Sequence, residues 1–181
     1  MRTSLLAWCL ALAGVTSGCT AYHESAAMQE HQVARDVCYE AVDRLLTQHE
    51  DRADIGRTMV ATLVDINEVK RTSMLGRQLS DYIASRLTQR DIDVIHTTLR
   101  QDHMIIREEG QFLLSREVRN LARDHNARTV LVGTYGMVAE RVLLSIKLVS
   151  TVDDSILAAV DFSLKREGDV EDMLKTSARS W

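Results

Sequence analysis

The chain contains no proline. It therefore has no proline-rich spacer, and its turns must be made by Gly, Asn, Asp and Ser. Cysteine is nearly as scarce, with three residues in the chain. Cys9 and Cys19 lie within or just after an apolar amino-terminal run, so Cys38 is left as the thiol of the folded region. That excludes a disulfide framework. Positive charge is not in excess either: the formal net charge is −4, which gives no broad attraction to nucleic acid. There is no fixed-period repeat and no low-complexity tract. The signatures of catalysis are missing too. His23, His31, His49, His96, His103 and His125 are scattered, with no HExxH and no compact His/Cys/Asp cluster to hold a metal. No Gly-x-Ser-x-Gly elbow occurs. Gly133 and Gly136 frame Thr134 and Tyr135, but no Gly-Lys-Ser/Thr follows to cradle a phosphate. The expectation is a protein that is not an enzyme and takes no cofactor, metal or small-molecule substrate.

What is present begins with a leader. Arg2 is the one charge in the first 18 residues, and Leu5 to Val15 is apolar. A short positive start, an apolar core and small residues before a cut site define an export signal. The run is shorter than the ~20 residues a membrane-spanning helix needs. Val15-Thr16-Ser17-Gly18-Cys19 reads as a bacterial lipobox, although Thr16 stands where Leu is preferred. Small Ser17 and Gly18 admit the peptidase, and the Cys19 thiol takes the diacylglycerol. The bland alternative is an ordinary secretory leader with an incidental cysteine. On the lipobox reading, residues 1–18 are removed and Cys19 starts the mature chain. Its formal charge becomes −5 once Arg2 is lost. Several acyl chains, palmitate among them, anchor firmly at about 0.8 kcal/mol per buried CH₂. Thr20 follows the cysteine, rather than the Asp that retains lipoproteins in the inner membrane. The expected location is the periplasmic side of the outer membrane of a Gram-negative cell.

The remainder is long enough for one domain with a real core. Residues 19–27 read as a small, polar tether. An N-terminal helical segment follows over 28–56, its helix ending near residue 50. Val33, Val37, Ala41 and Leu45 repeat there at helical spacing. Cys38 falls on the same stripe, with Ala34 and Val42, and reads as a small buried residue rather than a redox group. An α/β domain is expected over 57–166. Thr58 to Val64 reads as a strand covered on both sides. Ser73 caps a helix running to about Gln89, with Leu75, Leu79, Tyr82, Ile83 and Leu87 inward. Ile92 to His96 is a second strand. Residues 97–114 fit a small hairpin or an irregular excursion. Ser115 caps a helix to about Asn126, its core face being Val118, Leu121 and Ala122. Thr129 to Tyr135 is a two-sided strand. Val142, Leu144, Ile146 and Leu148 then alternate cleanly, as do Ile156, Ala158, Val160, Phe162 and Leu164. Two alternating runs joined at Asp153-Asp154-Ser155 make an antiparallel hairpin. A short helix and tail close the chain over 167–181. The order predicts a single α/β domain: a mixed sheet of about five strands, β-α-β-α-β and then a hairpin, with packed helices.

Charged groups offer little chemistry. Asp153 and Asp154 adjoin, as do Glu108 and Glu109, and adjacent turn carboxylates are usually solvated. Arg116, Arg119 and Arg123 share one helix face. That row fits an acidic partner or peptidoglycan carboxylates, and equally a solvated face interleaved with Glu117 and Asp124. His125 lies near a helix end, where a dipole contact explains it. Trp181 is either a contact residue or a cover for its own core.

Three stretches carry a resemblance: Leu75-Gly76-Arg77-Gln78-Leu79-Ser80, Gly110-Gln111-Phe112-Leu113-Leu114-Ser115-Arg116 and Val130-Leu131-Val132-Gly133-Thr134-Tyr135. With Leu157-Ala158-Ala159-Val160-Asp161-Phe162 they lie in an order and spacing that resembles the FlgO family of flagellar outer-membrane lipoproteins, from Ser73 to Leu164. The turn at Asp153-Asp154-Ser155 departs from the Lys-Thr-Gly type expected there. The resemblance implies a non-enzymatic protein of flagellar assembly or motility, acting with other outer-membrane flagellar proteins. It implies an α/β domain similar in shape to the amino-terminal domain of TolB-type proteins, and it brings no catalytic residues. The alternative is a periplasmic lipoprotein that docks on and activates a cell-envelope enzyme such as a cell-wall synthase.

Overall fold

The computed structural model describes residues 18–49, 52–67, 73–96, 104–106, 112–114 and 116–175, with side chains over 33–49, 54–67, 73–95 and 118–175. The first helix, α1, spans Gly18–Thr47. Its backbone is thus already helical across 19–27, where a tether was expected. Ala21, Ala26, Ala27, Met28, Gln29 and Glu30 are good helix formers, and neither Gly nor Pro interrupts them. The buried stripe of α1 is Ala34, Cys38, Ala41, Val42, Leu45 and Leu46, whereas Val33 is 60% exposed. The apolar face is therefore rotated away from the expected Val33. A four-residue turn of helix, α2 (Arg52–Ile55), follows.

The expected strand over 58–64 is two pieces, β1 (Thr58–Val60) and β2 (Val64–Asp65). Helix α3 (Met74–Gln89) comes next, with Ser73 at its cap accepting a hydrogen bond from the Gly76 amide. Strand β3 (Val94–His96) is shorter than expected. Residues β4 (Met104–Ile106) and β5 (Phe112–Leu114) pair antiparallel, so the uncertain excursion contains a hairpin. Helix α4 (Arg116–Asp124) precedes three ten-residue strands, β6 (Thr129–Val138), β7 (Arg141–Ser150) and β8 (Ile156–Lys165). Helix α5 (Gly168–Lys175) ends the described chain, burying Val170 and Met173. Trp181 lies outside the described residues.

The main sheet has six strands in the order β3-β1-β6-β7-β8, with β2 also pairing β6. The first three on that path are parallel, and β6-β7-β8 is an antiparallel meander. This is the expected mixed sheet, with β2 as the added piece. Alternation along the strands feeds two cores. On one face Leu131, Leu144, Ile146, Leu148, Val160 and Leu164 meet α1, α3 and α5. On the other, Met59, Ala61, Val130, Val132 and Val149 meet Val118 and Ala122 of α4. Ile156 was expected inside but is 50% exposed. The register slips between Leu148 and Val149, and this bulge turns the first residue of β8 out of the alternation.

The break between β1 and β2 is where α3 docks. The Ser80 hydroxyl accepts the Leu63 amide at 2.9 Å and lies 2.7 Å from the Gly76 carbonyl and 3.3 Å from the Ala61 carbonyl. A buried backbone that leaves its ladder is thereby satisfied by a side chain. Gly76 permits the approach, since a Cβ there would stand 2.2 Å from the Leu63 carbonyl oxygen. Leu63 in turn packs over Gly133 of β6, where a Cβ would meet it at 3.0 Å.

Turns follow the proline-free rule, with left-handed conformations at Gly56, Asp91, Asn126, Asp154 and Gly168. The β6–β7 turn is an exception, placing Ala139 at φ +50°.

Ala139→Gly should raise stability by about 1 kcal/mol, because the left-handed strain on alanine is removed. Gly76→Ala should do the opposite. Alanine gains up to ~1 kcal/mol in helix propensity, but the clash with a backbone oxygen costs about 1–3 kcal/mol or more. Urea unfolding of both variants reads the two signs; equal midpoints would refute the account of α3 docking.

Candidate interaction surface

The sequence motifs assemble into a structural joint rather than a catalytic one. The Tyr135 hydroxyl donates to the Ser73 oxygen at 2.6 Å, and that oxygen also accepts the Gly76 amide at 2.9 Å. Ser73 thus bridges two of the stretches that carry the resemblance, through Gly76 of one and Tyr135 of the other. At the far end of β1, Thr58 and Thr129 share a 2.8 Å hydroxyl contact, and Thr129 donates to the Ile55 carbonyl at 3.1 Å. Each of these hydroxyls bonds backbone or its neighbour, so none of the four is a free nucleophile.

The other sequence candidates stay apart. Among the described residues no group of three or more His, Cys, Asp or Glu is placed to hold a metal ion. His49 stands 3.7 Å from Asp54. The His125 carbonyl accepts from Arg57 at 3.2 Å. Glu108, Glu109, His103 and the side chains of His23, His31, His96 and Arg116 lie outside the described residues. Arg119 pairs with Asp154 at 2.5 Å, tying α4 to the β7–β8 turn, while Arg123 is exposed. The Arg row is therefore divided between a clamp and solvent. Asp153 accepts the Ser155 amide and hydroxyl, and its carboxyl is held below its usual range by hydrogen bonds from Ser150 and Ser155. Cys38 is fully buried, and desolvation pushes its thiol up to about 12. Cys19 is a backbone position in the first turn of α1.

Two features escaped the sequence reading. The first is a charged clamp between α1 and α3. Asp43 accepts from Arg86 at 3.0 and 2.5 Å and from Arg90 at 2.8 and 2.6 Å. The two guanidiniums sit one turn apart on α3 and would repel each other without that carboxylate. Hydrogen bonds from Arg90 and then Arg86 hold the Asp43 carboxyl well below the usual range. Arg86 also lies 5.1 Å over the Tyr39 ring, with Arg35 at 5.8 Å. The i, i+4 spacing of two arginines on one helix was the available signal.

The second is an apolar area on the α4 side of the sheet. Helix α4 covers the β6 end that bears Val130 and Val132, and the opposite end is left open. There Ile66, Val138 and Leu143 are 58%, 57% and 47% exposed. Gly136 lets Ile66 lie over the strand, 3.0 Å from where a Cβ would be. An open cleft of about 550 Å³ is lined there by Ile66, Thr134, Gly136, Leu143, Ser145 and Asp161 among others. Ser145 and Asp161 are register partners. Among the described residues that line the cleft there is no histidine. Three successive apolar residues, Val142 to Leu144, in an otherwise alternating strand were the signal for this area. One of them had to face out.

The model of the FlgO protein family matches residues 39–169. The chain belongs to the FlgO family. Among curated proteins none matches the sequence significantly. The LpoB C-terminal domain of Salmonella enterica is similar in fold, with a TM-score of 0.50, 11% identity and cover of 73% of this chain and 98% of that one. The Escherichia coli LpoB C-terminal domain gives 0.50, 13%, 73% and 98%. Lipoprotein GNA1162 of Neisseria meningitidis gives 0.41, 15%, 63% and 82%. These likenesses concern the fold. FlgO membership covers α3, the Tyr135 contact and the whole meander, and so the joint described above.

Two measurements test the clamp and the burial. Because the folded-state pKa of Asp43 lies below its unfolded value, its stabilisation is complete above about pH 4. It is lost as pH falls further. Asp43→Asn should cost about 1 kcal/mol at neutral pH and flatten that acid-side loss. The Cys38 thiol should react with a thiol reagent at neutral pH only at the rate of unfolding; prompt native-state labelling would contradict its burial.

Proposed function

We propose that this chain is a non-enzymatic lipoprotein, acylated at Cys19 and held on the periplasmic side of the outer membrane. It acts in flagellar assembly or motility through contacts with other outer-membrane flagellar proteins. The observation that carries this reading is the FlgO family match over residues 39–169. The lipobox that ends at Cys19 supports the anchor. Among the described residues no helix is long and apolar enough to cross a membrane, so attachment would rest on the lipid.

The helix that follows Cys19 has a mechanical consequence. Among the residues of α1 whose side chains are described, the first buried one is Ala34. At a rise of about 1.5 Å per residue, an unbroken helix holds the domain roughly 22 Å from the acylated residue along its axis. A coil of the same length would leave that separation free to vary.

Cys19→Ala should move the protein from the membrane to the soluble envelope fraction and remove acyl mass from its amino terminus. Membrane recovery unchanged, with no acyl mass on the native protein, would reject the anchor. Deletion of the chain should reduce swimming in soft agar, restored by the native form and not by Cys19→Ala. A deletion strain that swims normally would reject the flagellar role.

A further inference from the structure

Strand β8 is an edge of the main sheet, and a ten-residue edge exposes a row of backbone donors and acceptors. Its outward-facing groups can be assigned. The Gln48 side chain donates to the Ala159 carbonyl at 2.8 Å and accepts the Ala159 amide at 3.1 Å. Ala159 therefore faces away from β7, and so by alternation do Asp161, Ser163 and Lys165. Gln48 acts as a one-residue surrogate strand, ending any further pairing at Ala159. The bulge beside Leu157 bends the edge on that side too. At the other end the Arg166 amide turns back to the Glu140 carbonyl. Among the described residues nothing bonds the outward amides and carbonyls of Asp161 and Ser163. Asp161 and Lys165 are exposed.

We propose that this short edge pairs with the same edge of a second copy of the chain. The pairing is antiparallel, centred on Ser163. The geometry leaves one symmetric register. Centred a residue earlier, the ladder would need Ala159, which Gln48 occupies. Centred a residue later, Asp161 would fall opposite Glu167, beyond the end of the strand and of like charge. Centred on Ser163, Asp161 of each copy stands opposite Lys165 of the other, and Ser163 faces Ser163. All six outward groups on each edge then find partners.

The charges point the same way. Within one copy Lys165 and Arg141 are register partners of like sign, an unfavourable arrangement across two strands. Arg141 is drawn onto the Ser163 hydroxyl, at 3.1 and 2.5 Å from its Nε and Nη2. Lys165 already has exposed Glu167 at 3.7 Å, and a second copy adds Asp161 to this corner, twice, by symmetry. On the opposite face Phe162 meets Leu164 of the other copy, extending the apolar layer across the seam.

Sedimentation equilibrium on the full chain in detergent, across a concentration series, tests this. The native chain should show a monomer–dimer equilibrium. Asp161→Lys or Lys165→Asp alone sets like charges opposite each other at both pairs and should weaken the dimer roughly tenfold. The double variant Asp161→Lys/Lys165→Asp should restore it, as should an equimolar mixture of the two single variants. Both side chains are exposed, so thermal unfolding should be nearly unchanged throughout. A monomer at every concentration overturns the proposal. So does a dimer indifferent to single reversals, or a double variant no better than the singles.

Discussion

The close approach of α3 to the gap between β1 and β2 is the constraint on which the rest of the fold depends. Parallel strands cannot be joined by a tight turn, so β1 must reach β3 through a helix packed on the sheet. That helix lies over a place where the strand leaves its ladder, and buried peptide groups there need partners. Ser80 supplies one hydroxyl to three backbone groups, and Gly76 clears the space for the Leu63 carbonyl. Tyr135 then reaches from β6 to Ser73 and fixes the helix start. Remove any one of the three and the others lose their geometry, because each contact sets the distance for the next.

From this joint the two faces of the sheet acquire different fates. Helices α1, α3 and α5 cover one face with a continuous apolar layer. Among the described residues the other receives α4, on a smaller cluster. Helix α4 is held there at its far side by the Arg119–Asp154 pair. The uncovered end carries Ile66, Val138 and Leu143, each near or above half exposed. The described residues thus leave an open sheet end and an open sheet edge, two surfaces suited to contact.

Much of this was legible because periodicity in the apolar residues is strong. Leu79, Ile83 and Leu87 announced α3, and Val142 to Leu148 announced β7. Ser73 was recognisable as a cap from its hydroxyl and the stripe that follows it. The β6–β7 turn was not legible, because Val138-Ala139-Glu140 contains none of the residues that favour left-handed backbone, and the chain accepts the strain. The break after Val60 was hidden as well: Met59 to Val64 is apolar but for Thr62, with no turn residue, and the gap is created by a helix packing from elsewhere. The i, i+4 arginines hint at the clamp, but their acceptor Asp43 lies more than forty positions away, beyond any local pattern. Val33 failed because a period fixes the width of a stripe less well than its direction, and Ile156 because a bulge that no pattern announces shifts the register before it.

Helix α1 links these separate features. Its first turn holds the backbone of Cys19, and its buried stripe caps the principal core. Asp43 bolts it to α3, and Gln48, just beyond its last turn, closes one peptide of the β8 edge. A rigid rod with three points of attachment cannot swivel on the domain. A lipid at its start would therefore orient the sheet edge and the open sheet end relative to the membrane, as well as tether them. The domain's surfaces would be presented in a fixed attitude, which is what a protein working through contacts at a membrane requires.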